Sequence, residues 1–271
     1  MNLTARSSHF EFGENWREYA KTIDQARIDA AVIGLKKLFP EGLAEARFLD
    51  IGCGSGIHSL AALMLGAKSV LSIDIDENSV ATTRELLSRF APGGAWEARE
   101  QSVFDASAEK LGGAFDVVYS WGVLHHTGDM WRAIEQASKL VKPNGLFCLA
   151  ICSATTFDPI WKIEKRIYSS APRAVQWLLR QIYIAAFLSA QALIYRVNPV
   201  RYLRDYKRKR GMNFSHDVHD WLGGYPYETA TAEELSGRVR AMGFSEVRSF
   251  ALPVTRGIFG SGCNEFVFQA I

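Results

Sequence analysis

Charge imbalance is nearly missing from this chain of 271 residues, whose formal net charge is +2. A surface so balanced offers no broad basic face and argues against a general nucleic-acid-binding role. Cysteine is scarce as well. Cys53, Cys148, Cys152 and Cys263 are scattered without the paired spacing of a structural zinc site. Cys148 and Cys152 form a lone C-x-x-x-C, a weak zinc signal, and reduced thiols in a reducing compartment are the plainer expectation. Long apolar runs are absent too. Ile182–Leu188 is seven consecutive apolar residues, where a membrane-spanning helix needs about 20. The segment from Met1 to Phe10 is polar and lacks the apolar core of a secretory signal. Together these absences predict a cytoplasmic protein.

What is present is apolar content of 48%, enough for a substantial core. The length suits one Rossmann-sized domain with an insertion, or two small domains. Strand-like runs are expected at Arg47–Ile51, Ser69–Ile73, Trp96–Val103, Phe115–Ser120 and Leu146–Ile151. Helical patterns at Asn15–Leu38, Ile57–Leu65, Ser79–Phe90 and Met130–Val141 precede or separate them. Lys142-Pro143-Asn144-Gly145 reads as the turn that closes the last of these helices. Such alternation argues for βαβ units in a parallel, doubly wound sheet. Later come a helix at Glu233–Met242 and strands at Glu246–Leu252 and Glu265–Gln269. No helix fits between those strands, so they are expected to pair antiparallel.

The most informative stretch is Phe48-Leu49-Asp50-Ile51-Gly52-Cys53-Gly54-Ser55-Gly56. An apolar strand ends, an acidic residue stands near its end, and three glycines follow at alternate positions before a helix. Glycine lets backbone approach a ligand closely and tolerates positive φ. The spacing differs from the Gly-x-Gly-x-x-Gly dinucleotide fingerprint, because position 57 is Ile. Eighteen residues after Gly56, Asp74 closes the second strand, where a carboxylate can accept both ribose hydroxyls of a nucleoside. Asp76 is the nearby competitor. The fourth strand runs on as Ser120-Trp121-Gly122-Val123-Leu124-His125-His126.

These motifs, in this order over residues 46–151, resemble class I S-adenosylmethionine (SAM) methyltransferases, and the later segments Gly211–Glu228 and Gly262–Phe268 resemble the bacterial ubiquinone-biosynthesis O-methyltransferase-like group. The resemblance implies an α/β fold: a Rossmann-like, doubly wound seven-stranded sheet with its last strand antiparallel and a helical insertion after strand five. It divides the chain into an N-terminal helical cap (1–45), a SAM-binding core (46–152), a helical lid (153–225), and a C-terminal helix with the last two strands (226–271). It implies SAM as methyl donor, held by Asp50, Gly52, Cys53, Gly54, Gly56, Asp74, Ile75, Ser102, Val103, Ser120 and Trp121. The glycines are expected to turn backbone N–H groups toward the ligand. Ser102-Val103 takes the place of the adenine-recognition pair, with Asp105 as the alternative. Trp16 and Tyr19 are placed over the methionine end, with Arg17 or Lys21 as candidate partners of its carboxylate.

Methyl transfer to a hydroxyl needs alignment and a proton acceptor, and histidine is the usual one near neutral pH. His125 and His126, just past strand four, are the candidates, with His126 preferred. His216-Asp217-Val218-His219-Asp220 also clusters donors, but magnesium prefers oxygen ligands and the spacing fits no metal signature. No metal is expected. The insertion is rich in aromatic residues, including Trp161, Tyr168, Trp177, Tyr183, Phe187 and Tyr195. It reads either as a satellite core or as an apolar lid over a small lipophilic acceptor such as a prenylated quinol precursor. Arg196–Arg210 follows with seven basic residues against Asp205 alone, a run suited to anionic headgroups on the inner membrane face. The competing readings are a catalytically silent SAM-binding or membrane-associated protein, a nicotinamide oxidoreductase, and a methyltransferase fold that uses SAM for another transfer.

Overall fold

The computed structural model describes residues 10, 12–194, 196–210, 214–253 and 255–271, with backbone only at 207–210 and 216. Most of the segment from Met1 to Phe10, Tyr195, Gly211, and the side chains of His216 and of the four basic residues at 207–210 therefore lie outside the described set.

Five strands build the parallel part of the sheet: β1 (Arg47–Ile51), β2 (Ser69–Asp74), β3 (Trp96–Glu100), β4 (Phe115–Trp121) and β5 (Val141–Cys152). With β6 (Phe244–Phe250) and β7 (Cys263–Ala270) they form one seven-stranded sheet in the order β3-β2-β1-β4-β5-β7-β6. β7 runs antiparallel to both β5 and β6. The expected topology is therefore the observed one. Order reverses between β1 and β4, and the carboxyl ends of strands at such a switch point are where open α/β sheets bind ligands. Phe48, Leu49, Val118, Phe147 and Leu149 are wholly buried, because helices cover both faces of the sheet.

The helices start where side chains cap them. Asp76 caps α4 (Glu77–Phe90) by accepting from Asn78 N at 2.8 Å. Asp129 caps α5 (Met130–Ser138), and Thr231 caps α10 (Ala232–Ala241) by accepting from Glu234 N at 3.1 Å. A side-chain oxygen in that position satisfies one of the orphan amides of the first turn. α3 (Ile57–Met64) instead starts at Gly56 in the left-handed region.

Several expectations need correction. Asn15–Leu38 is not one helix but α1 (Phe12–Ala20) and α2 (Gln25–Leu38). Asp24 adopts an extended conformation between them and accepts from Arg27 N at 3.0 Å, so a new cap overrides the helical periodicity. Lys142–Gly145 does not separate a helix from β5. It lies inside the strand, where Asn144 takes φ 60° and the pairing jumps from Phe115–Val141 to Val117–Leu146. The turn chemistry was real, but the extra residues are absorbed as a bulge. β3 stops at Glu100, and Ser102 instead opens a 3-10 turn over Val103–Asp105.

The insertion after β5 folds as α6 (Asp158–Ser170), α7 (Arg173–Leu193), α8 (Pro199–Arg210) and α9 (Phe214–Gly223). Its own apolar cluster gathers Tyr168, Phe214, Val218 and Leu222 with inward aromatic residues of α7 and α8. α7 has no buried residue, although its sequence is apolar almost all round. Leu179, Tyr183 and Phe187 face the cluster, while Val175, Leu178 and Ile182, spaced as one helical face, are exposed.

Candidate active site

A cavity of about 1330 Å³ opens at the carboxyl ends of β1, β2 and β4 and extends under the insertion. Gly52, Cys53, Gly54, Asp74, Ile75, Ser102, Val103, Trp121, His125 and His126 all contribute to its wall. Asp50, Gly56 and Ser120 do not.

The glycine turn is held by its own hydrogen bonds. Gly52 N donates to Ile73 O at 2.7 Å, Gly56 N to Cys53 O at 2.8 Å, and Gly54 N to Asp74 Oδ2 at 3.1 Å. The expectation that these three amides point at a ligand therefore fails; they are spent inside the protein. The glycines matter for conformation and room. Gly52 and Gly56 both sit at φ 78°, and an added Cβ would collide with Val123 or with Thr83 respectively.

Asp74 faces the cavity from the end of β2. Its Oδ1 accepts from Asp76 N at 2.9 Å, and burial pushes its carboxyl up to about 6. Asp76, the competitor, also reaches the wall; it caps α4 and accepts from Gly13 N at 3.3 Å, tying α1 to the core. That tie sets Trp16 against the turn, 3.2 Å from where a Gly54 Cβ would stand, with Tyr19 edge-on to it at 5.8 Å. Arg17 and Lys21 stay outside the wall, and Lys21 pairs with Glu18 at 2.6 Å.

Asp50 works from behind. Ser59 Oγ donates to its Oδ2 at 2.6 Å and lies 2.8 Å from Ser72 Oγ. This small network joins β1, β2 and the start of α3. Burial pushes the Asp50 carboxyl up to about 7. Ser120, fully buried, donates to Ile51 O at 3.1 Å and so braces β4 against β1. Ser102 Oγ accepts from Phe104 N at 3.3 Å, which presents Val103 to the cavity, while Asp105 is exposed and outside the wall.

His58 and Glu265 are among the wall residues that escaped the sequence reading. His58, in the first turn of α3, lies with Nδ1 3.2 Å from Tyr119 Oη, and burial lowers its pKa to about 4, which keeps the ring neutral. Glu265 on β7 accepts from Trp121 Nε1 at 3.2 Å and pairs with Lys37 at 2.5 Å. His58 stands two residues after Gly56, a signal that could have been read; Glu265 is brought in by the antiparallel pairing of β7 with β5 and had none.

The two histidines diverge. His126 Nδ1 lies 2.7 Å from Pro226 O. A carbonyl can only accept, so Nδ1 carries the proton and Nε2 keeps the basic lone pair. The ring also packs on Phe12 at 5.5 Å. His125 is buried and turns its Nε2 toward Cys152 Sγ, 3.2 Å away. Over both lies an aromatic wall from the insertion, including Tyr183, Phe187, Phe214 and Trp221. The cluster at His216–Asp220 is divided among separate partners: Asp217 accepts from Tyr206 Oη, His219 Nδ1 meets Tyr168 Oη at 2.7 Å, and Asp220 accepts from Asn15 Nδ2 at 2.6 Å.

Comparison with known proteins agrees with this geometry. A family profile described as a methyltransferase domain matches residues 23–220. Among curated proteins, the ubiquinone biosynthesis O-methyltransferase of Pseudomonas aeruginosa (strain LESB58) is 41% identical over 104 residues, covering 38% of this chain and 43% of that protein. Its namesake in Xanthomonas euvesicatoria pv. vesicatoria (strain 85-10) is 37% identical over 113 residues, covering 42% and 46%. The chain thus matches less than half the length of these curated relatives. Among solved structures, magnesium protoporphyrin IX methyltransferase from Synechocystis PCC 6803 with bound SAH aligns with TM-score 0.52 at 16% identity, over 90% of this chain and 81% of that one. A 1,6-didemethyltoxoflavin-N1-methyltransferase from Burkholderia thailandensis aligns with TM-score 0.50 at 18% identity, over 91% and 79%. With its glycine turn, its strand-end Asp74 and a match over residues 23–220, this chain belongs to the methyltransferase-domain family.

Proposed function

We propose that the enzyme methylates a hydroxyl oxygen on a small lipophilic acceptor, with the quinol precursors suggested by the relatives' name as the first class to test. The observation that supports this most directly is the continuity of the cavity. The glycine turn, Asp74, His126 and aromatic side chains of the insertion all line the same cavity. In this reading Asp74 accepts the ribose hydroxyls, Val103 and Ser102 border the adenine, and Trp16 covers the methionine end. His126 Nε2 takes the acceptor proton as the hydroxyl oxygen attacks the methyl carbon and the carbon–sulfur bond breaks toward sulfur. Incubation with methyl-labelled SAM and a prenylated catechol tests it. Label transferred to the acceptor oxygen supports the reading; label on nitrogen-bearing analogues alone would sink it.

The insertion also supports a membrane-surface role. No described helix is long and apolar enough to cross a membrane. Yet Ile163 and Ile167 on α6 and Leu178 and Ile182 on α7 are exposed at helical spacing, near α8 with its exposed Arg201 and Arg204. Each basic residue near an anionic surface adds about 1 kcal/mol. Co-sedimentation with anionic but not neutral vesicles is the expected outcome, and indifference to lipid charge would count against it.

A further inference from the structure

We propose that His125, Cys152 and Cys263 form a zinc site in the acceptor half of the cavity. The two thiols come from strands that the sequence separates by more than a hundred residues. β5 and β7 pair antiparallel with Cys152 directly opposite Cys263, and the turn after β4 brings in His125. Cys152 Sγ lies 3.7 Å from Cys263 Sγ and 3.2 Å from His125 Nε2. One ligand atom from each residue fits within a span of 4.8 Å. A tetrahedral zinc with Zn–S of about 2.3 Å and Zn–N of about 2.0 Å holds two sulfurs about 3.8 Å apart and sulfur and nitrogen about 3.5 Å apart. The observed sulfur separation meets the first figure, and the Cys152 Sγ–His125 Nε2 distance is within a few tenths of an ångström of the second; Cys263 Sγ and the ring lie within 4.8 Å of each other. A disulfide would need the sulfurs at about 2.05 Å.

A second observation concerns the ring. His125 Nδ1 is buried with no hydrogen-bond partner among the described residues. No bond from that nitrogen fixes the tautomer, so the ring can turn the Nε2 lone pair toward the sulfurs, with the proton then on Nδ1. Two thiolates and one imidazole are soft donors that select zinc over magnesium or calcium. Two sulfurs and one nitrogen also leave a fourth position for water or substrate, the arrangement of catalytic rather than structural zinc. All three residues line the cavity, so that position faces the acceptor. Cys148, the other half of the C-x-x-x-C, lies away from this group and packs with Val117, Tyr119 and Val267 on the sheet.

The chemical consequence rests on the O-methylation reading. A hydroxyl that ligates zinc loses its proton near neutral pH, here to His126 Nε2, and the resulting oxygen anion attacks the methyl carbon. The sulfonium supplies the leaving group, and S-adenosylhomocysteine departs with the electron pair. The acceptor class is then an aromatic hydroxyl small enough to reach the three ligands.

The test uses the full chain, purified with a non-chelating reductant, stripped with chelator and titrated with zinc sulfate alone. Elemental analysis gives stoichiometry, and cobalt titration reports thiolate-to-metal charge-transfer absorption. Cys152→Ser, Cys263→Ser and His125→Gln are compared with Cys148→Ala, and SAM binding by calorimetry certifies that each variant is folded. The expected result is one zinc per chain in wild type and Cys148→Ala, with affinity at least ~100-fold weaker in the other three. Substoichiometric zinc in the wild type, unchanged affinity in folded Cys152→Ser and Cys263→Ser, or a Cys152–Cys263 disulfide in the reduced, metal-stripped protein would each overturn the site. Because stoichiometry is read without acceptor, failure of O-methylation on its own leaves the zinc result standing.

Discussion

Gly54 N donates to Asp74 Oδ2 at 3.1 Å, so the glycine turn and the strand-end carboxylate form one hydrogen-bonded unit. The bond fixes the orientation of Asp74 in the cavity wall, and it makes the turn depend on the charge state of that carboxylate.

Asp74→Asn should weaken S-adenosylhomocysteine binding by about 10- to 100-fold, because hydrogen bonds to a charged group contribute about 1.5–3 kcal/mol. In the wild type, affinity should fall as pH drops through about 6, the value to which burial raises this carboxyl. Below it the protonated group no longer accepts from two hydroxyls. Calorimetry from pH 5 to 8 reads both effects, and a flat wild-type profile would contradict the assignment.

Asp50→Asn carries the opposite kind of signature, seen in stability. The native carboxyl titrates at about 7 and its ordinary value is 3.8. Between those values the native state holds a proton that the unfolded chain has released, so stability falls as pH rises from about 4 to about 7. The contribution is at most about 4 kcal/mol at 1.36 kcal/mol per unit. The asparagine variant keeps the Ser59 bond without the buried charge. It should melt higher than wild type at pH 8 in the absence of SAM, with the difference shrinking toward pH 4. Equal melting curves at pH 8 would show that the burial cost is relieved elsewhere.

His126→Ala should lower kcat by about 10²- to 10⁴-fold with little change in SAM affinity, the range for loss of a general base. A less demanding acceptor that is already ionised should lose far less. If both acceptors lose equally, His126 packs the site rather than moving the proton.

Gly52→Ala should destabilise the fold by about 1–3 kcal/mol, combining positive φ with a collision against Val123. Gly34→Ala is the control: it lies in α2 with nothing near its would-be Cβ and should not destabilise. Thermal melting of the pair separates a strained turn from the general effect of adding a methyl group.

Much of the donor half was legible from local pattern. The run from Phe48 to Gly56 combines a buried strand, a change of backbone handedness and a helix start, each of which depends on neighbouring residues. Asp74 was readable because a strand-end carboxylate at that spacing lies beside the turn in any parallel β1–β2 pair. Asn15–Leu38 was misread because its apolar spacing hides the capping Asp24. Lys142–Gly145 was misread because a bulge and a turn share the same residues. Ser120 looked like a ligand residue from its place at the strand end, yet its hydroxyl braces Ile51.

By itself the sequence determined the sheet and the glycine turn, because these follow from short-range periodicity and from glycines whose need for positive φ is local; the donor and the reaction class came from the resemblance those motifs carry. Only the tertiary structure decided what surrounds the acceptor. Glu265 and Cys263 arrive through the pairing of β7 against β5, and Tyr183, Phe187 and Trp221 through the packing of the insertion over the strand ends. Those contacts join residues far apart in the chain. Their partners are chosen by burial and register, which no local spacing records.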